Sequence, residues 1–408
     1  MPPSEQDDLR SRLDRYPVER YPVQHATTQF HLGSALLHAG ETTPALTALT
    51  AAQRVFSTSG MHLEQAKATM MVGVALRSAG RLQEAAQALR AAGGTLTGLD
   101  APTELAAASY NLGLVLHDTG DVVGARTAWD QARELFLTAG YPGQAAAAAR
   151  DCGGSLLAHG EPAAALPLLE QAAALAERAG DDAGTAAAAN VLGLAHLAGG
   201  DARAAVAVLR RALAFAPRTV RDEDHAMVKS NLALALEEDG QDARARLAAA
   251  QVLAVPAAAP PVRTQALEVL HRLGGPRPGD LFAVLDEEEA ASWPALVREE
   301  LARAAATSTA EQDRLLRSTF DGLLTRPGRS YDLAESVLQV VLELPPRPYA
   351  SAVASVVAAC ADRPDDEVDR LRSVLTSALA RFAIPQWQRL VASLNDAATA
   401  SGQTAGWR

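Results

Sequence analysis

Apolar residues recur at helical spacing along most of the chain. Between Leu63 and Ser78 they fall at Ala66, Met70, Val74 and Leu76, which is helical spacing. A second apolar stretch begins near Leu82 and is predicted to end near Ala92, because Gly93, Gly94 and Gly98 follow it. Gly80 separates the two stretches and is predicted to end the first helix in a left-handed turn. The pattern therefore predicts a helical hairpin.

Turn glycines repeat along the chain with a constant step of forty residues. They are Gly40, Gly80, Gly120, Gly160, Gly200 and Gly240. An alanine follows each of them by five residues, at Ala45, Ala85, Ala125, Ala165, Ala205 and Ala245. A second glycine precedes five of them by seven residues, at Gly33, Gly73, Gly113, Gly153 and Gly193. Such a step is typical of a stack of identical units that dock through the same small residues.

The second set of glycines falls inside predicted helices. Glycine in a helix costs about 1 kcal/mol relative to alanine, so its repetition needs a packing reason. We expect close approach: the first helix of each hairpin meets the second helix where Ala45 and its equivalents lie.

The repeated positions resemble the tetratricopeptide repeat (TPR), whose hallmark pairs Leu-Gly in the first helix with alternating small and large residues in the second. The third unit carries it as Leu112, Gly113, Leu116, Ala125, Trp129 and Ala132. The resemblance covers roughly Thr27 to Val255 and implies an all-α, right-handed superhelix of about six hairpins. The forty-residue step is similar to that of the long-helix repeats in kinesin light chains and bacterial peptide-pheromone receptors. The sixth unit departs from the pattern, with Ala233 in place of the glycine.

Helical spacing continues after Val255, but the forty-residue step is lost. We predict an N-terminal cap or connector at 1–26, the TPR array at 27–255 and a linker with one helix at 256–279. A C-terminal helical domain is predicted at 280–398, and a flexible tail at 399–408. A docking segment is the alternative for the N-terminal stretch. The C-terminal helices could form a separate bundle or continue the superhelix, and the sequence leaves both open.

Composition narrows the function classes. Hydrophobic residues make up 48% of the 408 residues but aromatic residues only 4%, which favours helices packed through small side chains. The net charge is −11, and the sequence has no stripe of basic residues. Both features disfavour nucleic-acid binding. Two cysteines exclude a disulfide framework, and we expect neither a signal peptide nor a membrane span. These features predict a cytoplasmic protein, and the excess of arginine and alanine indicates a bacterial, actinobacterial-like composition.

Catalytic motifs are absent from the sequence. It has no phosphate-binding loop, no Gly-x-Ser-x-Gly elbow and no His-Glu-x-x-His motif. Cys152 holds a repeat core position and Cys360 follows an apolar run, so both are expected to be buried hydrophobes. We therefore predict a non-catalytic protein without cofactor or metal.

The resemblance implies that the first helices of the hairpins line a concave groove. The candidate groove residues are Phe30, His31, Lys67, Met71, Arg77, Tyr110, Asn111, His117, Arg150, Asp151, Asn190 and Asn231. Asn111 and Asn231 share one repeat position, and Asn190 is one residue off. In peptide-binding TPRs an asparagine at this position grips the backbone of an extended ligand, a role that suits an amide with both donor and acceptor.

The favoured function is capture of a protein or peptide segment in this groove, as an adaptor or scaffold. A peptide-sensing regulator that acts through a partner is one alternative, because the stretch from Met1 to Gln24 is expected to be too short for a helix-turn-helix. A second alternative is an enzyme or small-ligand protein with a site between the array and the C-terminal helices, lined by His117, Arg150 and Asp151. A homodimer also remains open.

Overall fold

The computed structural model describes residues 5–326, 328–361, 363–403 and 406–407. These residues form twenty-one α-helices, one 3₁₀ turn at Ala290–Ser292 and no β-strand, so the all-α prediction is confirmed. Residues 1–4 of the predicted cap, a predicted turn at Pro327, and residues 404, 405 and 408 of the predicted tail lie outside the described residues. Contacts divide the chain into unit 1, residues 1–201, and unit 2, residues 202–408.

Unit 1 consists of a short first helix, α1 (Glu5–Arg15), and nine helices of seventeen residues each. The nine are α2 (Pro22–His38), α3 (Thr42–Thr58), α4 (His62–Ser78), α5 (Leu82–Gly98), α6 (Pro102–Asp118), α7 (Val122–Thr138), α8 (Pro142–Ala158), α9 (Pro162–Arg178) and α10 (Asp182–Ala198). Three residues join each of these nine helices to the next, so from α2 to α10 a helix starts every twenty residues. The forty-residue step of the sequence is therefore two helices of equal length.

The turns of unit 1 share one geometry. At the end of α2, Gly40 has a φ of 79°, its N–H donates to Leu37 O, and Glu41 N donates to Leu36 O at 2.9 Å. These two bonds form the Schellman motif, which requires a left-handed residue after the helix. The same left-handed φ occurs at Gly60, Gly80, Gly120, Gly140, Gly160, Gly180 and Gly200.

Helix α5 corrects one prediction. It continues through Gly93 and Gly94 to Gly98, and the turn falls at Asp100, which has a φ of 50°. The predicted break after Ala92 is therefore wrong. Glycine weakens a helix by only about 1 kcal/mol, so α5 persists until the point where the common twenty-residue step places its end.

The mid-helix glycines lie where the two helices of a hairpin approach each other closely, as predicted. A Cβ atom on Gly33 would lie 2.6 Å from Leu49 Cγ and 3.2 Å from Ala45 O. On Gly113 it would lie 2.5 Å from Trp129 Nε1. The atoms closest to each of these glycines thus belong to the large hallmark side chain of the second helix. At Gly33 the backbone oxygen of Ala45, the alanine of the repeat pattern, also lies close.

The first helices of unit 1 form its inner layer. Helix α2 packs on α4, α4 on α6, and α8 on α10. The second helices α7 and α9 are bridged by long side chains, with Arg133 Nη1 donating to Gln171 Oε1 at 2.6 Å. Helices that approach their neighbours more closely lie on the inside of a curved stack.

Helix α1 covers the start of the stack. Leu9 is buried with Leu32, Leu36 and Ala45 of the first hairpin. The turn after α1 is held by His25, whose Nδ1 lies 2.8 Å from Tyr16 O. Because terminal repeats need a covered apolar face, this packing explains why α1 carries a leucine toward α2.

Unit 2 contains eleven helices within its described residues. They are α11 (Ala202–Phe215), α12 (Asp222–Glu238), α13 (Asp242–Leu253), α14 (Pro260–Arg272), α15 (Asp280–Glu287), α16 (Trp293–Thr307), α17 (Thr309–Thr325), α18 (Ser330–Glu343), α19 (Pro346–Cys360), α20 (Asp365–Leu379) and α21 (Ile384–Ala400). Helix α14 packs on both α12 and α13. Stacking therefore continues past Val255, where the forty-residue step ends.

The step becomes shorter at α14. Gln265 Nε2 donates to Asn231 Oδ1 at 2.9 Å, a separation of 34 residues. Arg272 pairs with Glu237 at 2.6 Å, a separation of 35 residues. A search for a forty-residue step misses this register, although 34 residues is the usual TPR length.

The last helices of unit 2 stack in two rows. Helices α15, α17, α19 and α21 contact one another in order, and α16, α18 and α20 form the second row. One continuous core runs between them, with Phe320, Leu338, Leu285 and Leu375 fully buried. Of the two predicted arrangements, this packing matches continued stacking of helical pairs and not a closed bundle.

Candidate binding surface on the first helices

Five repeat positions on helices α2, α4, α6 and α8 remain half-buried or exposed. We call them the inner face, defined as Thr27, Phe30, His31, Ser34 and Leu37 together with the residues 40, 80 and 120 positions further on. The intervening positions are mostly buried against the second helices. The inner face is therefore a surface that the stack leaves open to solvent.

Ion pairs connect α4 to α6 across the inner face. Lys67 Nζ lies 3.0 Å from Glu104 Oε1, and Arg77 Nε donates to Asp118 Oδ2 at 2.6 Å. Each side chain of these pairs is 28–36% exposed, so the charges are partly solvated. The Lys67 ammonium lowers the pKa of Glu104 through a hydrogen bond.

A second polar cluster connects α6 to α8. Tyr110 donates its hydroxyl proton to Asp151 Oδ2 at 2.6 Å, and Arg150 donates to Asp151 Oδ1 at 2.8 and 2.9 Å. Burial raises the pKa of Tyr110 well above its usual range, and the adjacent Asp151 carboxylate raises it further. The phenol therefore stays protonated and serves as a fixed donor.

His117 lies about two turns further along α6 than Tyr110. Its Nδ1 is 3.1 Å from Ser155 Oγ on α8, and its ring centroid is 5.7 Å from that of Trp129. The ring is thus packed against the hallmark tryptophan of its own hairpin while one nitrogen reaches the next hairpin. This geometry orients the imidazole but leaves it half-buried.

Asn111 lies at the centre of the inner face. Its Nδ2 donates to Ala107 O of the same helix at 2.8 Å. Within the described part of the chain, no group donates to its Oδ1, and the residue is half-buried. The amide therefore offers an acceptor that an incoming peptide N–H can use.

The start of the inner face is more open. His31 is exposed, and its ring meets that of Phe30 edge-on at 5.6 Å. A shallow cavity of about 710 Å³ lies beside it, lined by Glu5, Asp8, Leu9, Arg12, His31, Ser34, Ala35 and His38. Met71 follows on α4 and is half-buried.

The other two candidate asparagines are buried. Asn190 is 5% exposed and Asn231 is 7% exposed. Asn231 Oδ1 already accepts a hydrogen bond from Gln265 on α14. Although Asn111 and Asn231 share a repeat position, only Asn111 is open to solvent.

Sequence reasoning missed Glu104, Asp118 and Ser155, which pair with predicted residues. The sequence holds a signal for one of these missed pairs, Arg77–Asp118, and the same signal applies to the two predicted residues Tyr110 and Asp151. Arg77 to Asp118 and Tyr110 to Asp151 are each 41 residues apart, one repeat plus one. Oppositely charged or hydrogen-bonding residues at this separation face each other on consecutive first helices.

Three further kinds of feature bear on function among the described residues: metal-binding clusters, membrane-spanning helices and thiols. They include no group of three or more His, Cys, Asp or Glu side chains placed to hold a metal ion. None of their helices has the length and apolar character needed to cross a membrane. Cys152 and Cys360 are buried free thiols, and burial raises the pKa of Cys152 to about 11.

Family models for the tetratricopeptide repeat match residues 30–94 and 144–218. The chain contains tetratricopeptide repeats. The two matches fall inside unit 1 except for the last residues of the second. No curated protein matches the chain significantly.

The chain is also similar to several solved structures. The apo quorum sensor NprR from B. thuringiensis is 14% identical, with 82% of this chain and 97% of that chain covered and a TM-score of 0.49. TPR-like repeats of a candidate kinesin light chain from Podosopora anserina are 22% identical, with coverages of 48% and 96% and a TM-score of 0.42. BtubC (BKLC) from P. vanneervenii is 14% identical, with coverages of 62% and 94% and a TM-score of 0.44.

Proposed function

We propose that this TPR protein binds an extended peptide or protein segment along the inner face of unit 1, without catalysing a reaction. The observation that carries the proposal is Asn111. It is a half-buried amide with an open acceptor, at the centre of a face whose other polar groups are held in place. Protein or peptide binding is the role that the TPR assignment supports.

The inner face supplies the groups that an extended segment needs. The Asn111 acceptor would take a backbone N–H of the ligand. Phe30 and Met71 would take apolar side chains, and the exposed His31 would add a polar contact. Arg150, although paired with Asp151, is 29% exposed and would attract an acidic side chain.

Pre-organisation favours binding at this face. Lys67–Glu104, Arg77–Asp118 and Tyr110–Asp151 hold consecutive first helices at fixed separations before a ligand arrives. A ligand that meets a fixed surface loses less free energy in ordering it. Asn231 is left out of the proposed contacts because Gln265 occupies its acceptor.

The test is a peptide-display selection against the full chain, followed by affinity measurement on the selected peptides. We expect Asn111→Ala to weaken binding about tenfold, the cost of one buried hydrogen bond. Gln87→Ala is the matched control, because it removes an exposed amide from the second helix α5. Asn231→Ala is expected to lower stability and leave peptide affinity unchanged.

Two results would count against the proposal. One is a failure to select any peptide that binds saturably. The other is a set of peptides for which Asn111→Ala loses no more affinity than Gln87→Ala, which would mean that Asn111 is not a specific contact of the ligand. In keeping with the sequence prediction, we propose action in the cytoplasm with no cofactor and no nucleic acid, since both cysteines are free thiols and the net charge is −11.

A further inference from the structure

Unit 2 contains a cavity of about 230 Å³ whose wall is rich in charge. It is bounded by residues of α13, α15, α16 and α17 and by the loop before α15. Its lining includes four arginines and three carboxylates, namely Arg246, Arg277, Arg303, Arg314, Asp280, Glu300 and Glu311. The Arg246 and Arg303 side chains are only 5% and 12% exposed, and a buried charge is costly unless it is paired.

The carboxylates of this wall are already occupied by donors. Asp280 accepts from Arg246 Nε at 2.9 Å and Nη2 at 2.6 Å, and also from the backbone N–H of Arg277 at 2.8 Å. Glu300 is fully buried and accepts from Gln251 Nε2 at 2.7 Å and Arg303 Nε at 2.8 Å.

Glu311 completes the set. It lies 3.3 Å from Arg303 Nη2 and 2.8 Å from Arg314 Nη2. Each of the three carboxylates therefore has at least two donors from this chain. The wall has no carboxylate left over for a cationic ligand.

Two arginines, in contrast, keep donors without partners. The Arg246 side chain is only 5% exposed, and its Nη1 has no hydrogen-bond partner among the described residues. The guanidinium of Arg277 is exposed and forms neither a hydrogen bond nor an ion pair with any described residue. A buried donor without a partner costs about 1–3 kcal/mol, and more when charged, so proteins nearly always satisfy such groups.

We propose that this cavity binds a small oxyanion, a phosphate or carboxylate group, through Arg246 and Arg277. Guanidinium groups match the geometry of both oxyanions and bind them more strongly than neutral donors do. Pro276 and Pro278 flank Arg277 and restrict the backbone that carries it. The cavity volume admits the oxyanion and a small molecule attached to it, and is too small for a folded partner.

The experiment is isothermal titration calorimetry of the full chain at low ionic strength, with inorganic phosphate in one arm and succinate in the other. We expect saturable binding of at least one of the two anions. Tighter binding of phosphate would identify the ligand group as a tetrahedral oxyanion, and tighter binding of succinate as a planar carboxylate. Arg277→Ala is expected to lower the affinity about tenfold or more, the loss of one charge-assisted interaction. Arg347→Ala removes another exposed arginine, which lies on α19 outside the cavity, and this variant is expected to bind like the wild type.

Arg246 requires a paired variant, because removing it alone would leave Asp280 buried without its partner. Arg246→Met with Asp280→Asn removes both charges and keeps an acceptor for the Arg277 N–H. This variant is expected to lose oxyanion binding while retaining wild-type helicity. Arg277→Ala alone tests the proposal if the paired variant fails to fold.

Three results would overturn the proposal. The first is no saturable binding of either anion by the wild type, which would mean that water satisfies Arg246. The second is wild-type affinity in Arg277→Ala. The third is an equal loss in Arg347→Ala, which would indicate attraction by general charge. The inner face of unit 1 plays no part in these measurements, so they test the cavity independently of peptide binding.

Discussion

The two units bury their apolar residues in different ways. Unit 1 has several small cores, each made by one hairpin and its neighbour, such as the cluster of Leu76, Ala85, Ala86, Leu89 and Val115. The last helices of unit 2 share one continuous core. Short-range clusters of small residues allow a repeated, regular stack, whereas the shared core tolerates helices of unequal length.

The units also differ in where they place charge. Lys67 and Arg77 of unit 1 form half-exposed pairs on its surface. Lys229, Arg246 and Glu300 of unit 2 are buried. Unit 1 thus keeps these charges at its surface, whereas unit 2 encloses charge among its helices. The following predictions test this contrast, from the largest expected effect to the smallest.

The first prediction compares two fully buried aromatic side chains, Trp129 in unit 1 and Phe320 in unit 2. Truncation to alanine should cost about 3–5 kcal/mol in either case. Hydrogen exchange should separate them: Trp129→Ala should lose protection mainly in α6 to α9, and Phe320→Ala throughout α15 to α21. Equal loss over all of unit 1 for Trp129→Ala would contradict the segmented core.

The second prediction compares the two lysines of the chain, each paired with a glutamate. Lys229 is 6% exposed and pairs with Glu299, while Lys67 is 36% exposed and pairs with Glu104. Glu299→Gln should cost about 3 kcal/mol, because it leaves the buried Lys229 ammonium without its charged partner, and its acceptor Gln251 is neutral. Glu104→Gln should cost less than about 1 kcal/mol. Urea unfolding of the two variants measures both values, and equal costs would remove the contrast.

The third prediction concerns acid stability. Burial alone would raise the pKa of Glu299, but the neighbouring His225 and Lys229 lower it to about 2. A carboxyl group with a depressed pKa stabilises the folded state above its unfolded value of about 4, and this contribution is lost as the pH falls toward 2. Unit 2 should therefore lose stability between about pH 4 and pH 2, and Glu299→Gln should flatten that decline. A decline of the same steepness in the variant would show that other groups cause it.

The fourth prediction compares two glycines inside helices of unit 1. A Cβ on Gly153 would lie 2.7 Å from Leu169 Cγ, whereas on Gly94 it would meet nothing within 4 Å. Gly153→Ala should destabilise by about 1–2 kcal/mol, because crowding exceeds the helix gain. Gly94→Ala should stabilise by about 0.5–1 kcal/mol. Thermal unfolding measures both, and a stabilising Gly153→Ala would show that the helices can move apart.

Local features of the fold were predictable from the sequence. A left-handed turn needs glycine, so Gly40 and its equivalents predicted the helix ends. Gly33 and Gly113 likewise predicted close approach, because only a missing side chain permits it. The end of α5 was not predictable in this way, since Asp100 takes the left-handed position that glycine holds elsewhere.

Features that depend on packing between distant helices were not predictable. The residues of the inner face follow from the repeat positions, but their pairing depends on the register between consecutive first helices. Arg77 reaches Asp118 only because that register is one repeat plus one residue. The burial of Asn231 depends on α14, whose 34-residue step does not appear in the forty-residue pattern.

The uniform spacing of unit 1 has a consequence for how such a chain changes over evolutionary time. Helices α2 to α10 have equal length and the turns between them have three residues each. Duplication or loss of one forty-residue block returns every downstream helix to the layer it had before. Loss of a single twenty-residue helix would exchange the layers of all that follow. Recombination within the gene can therefore lengthen or shorten the inner face by whole hairpins and still produce a chain that folds.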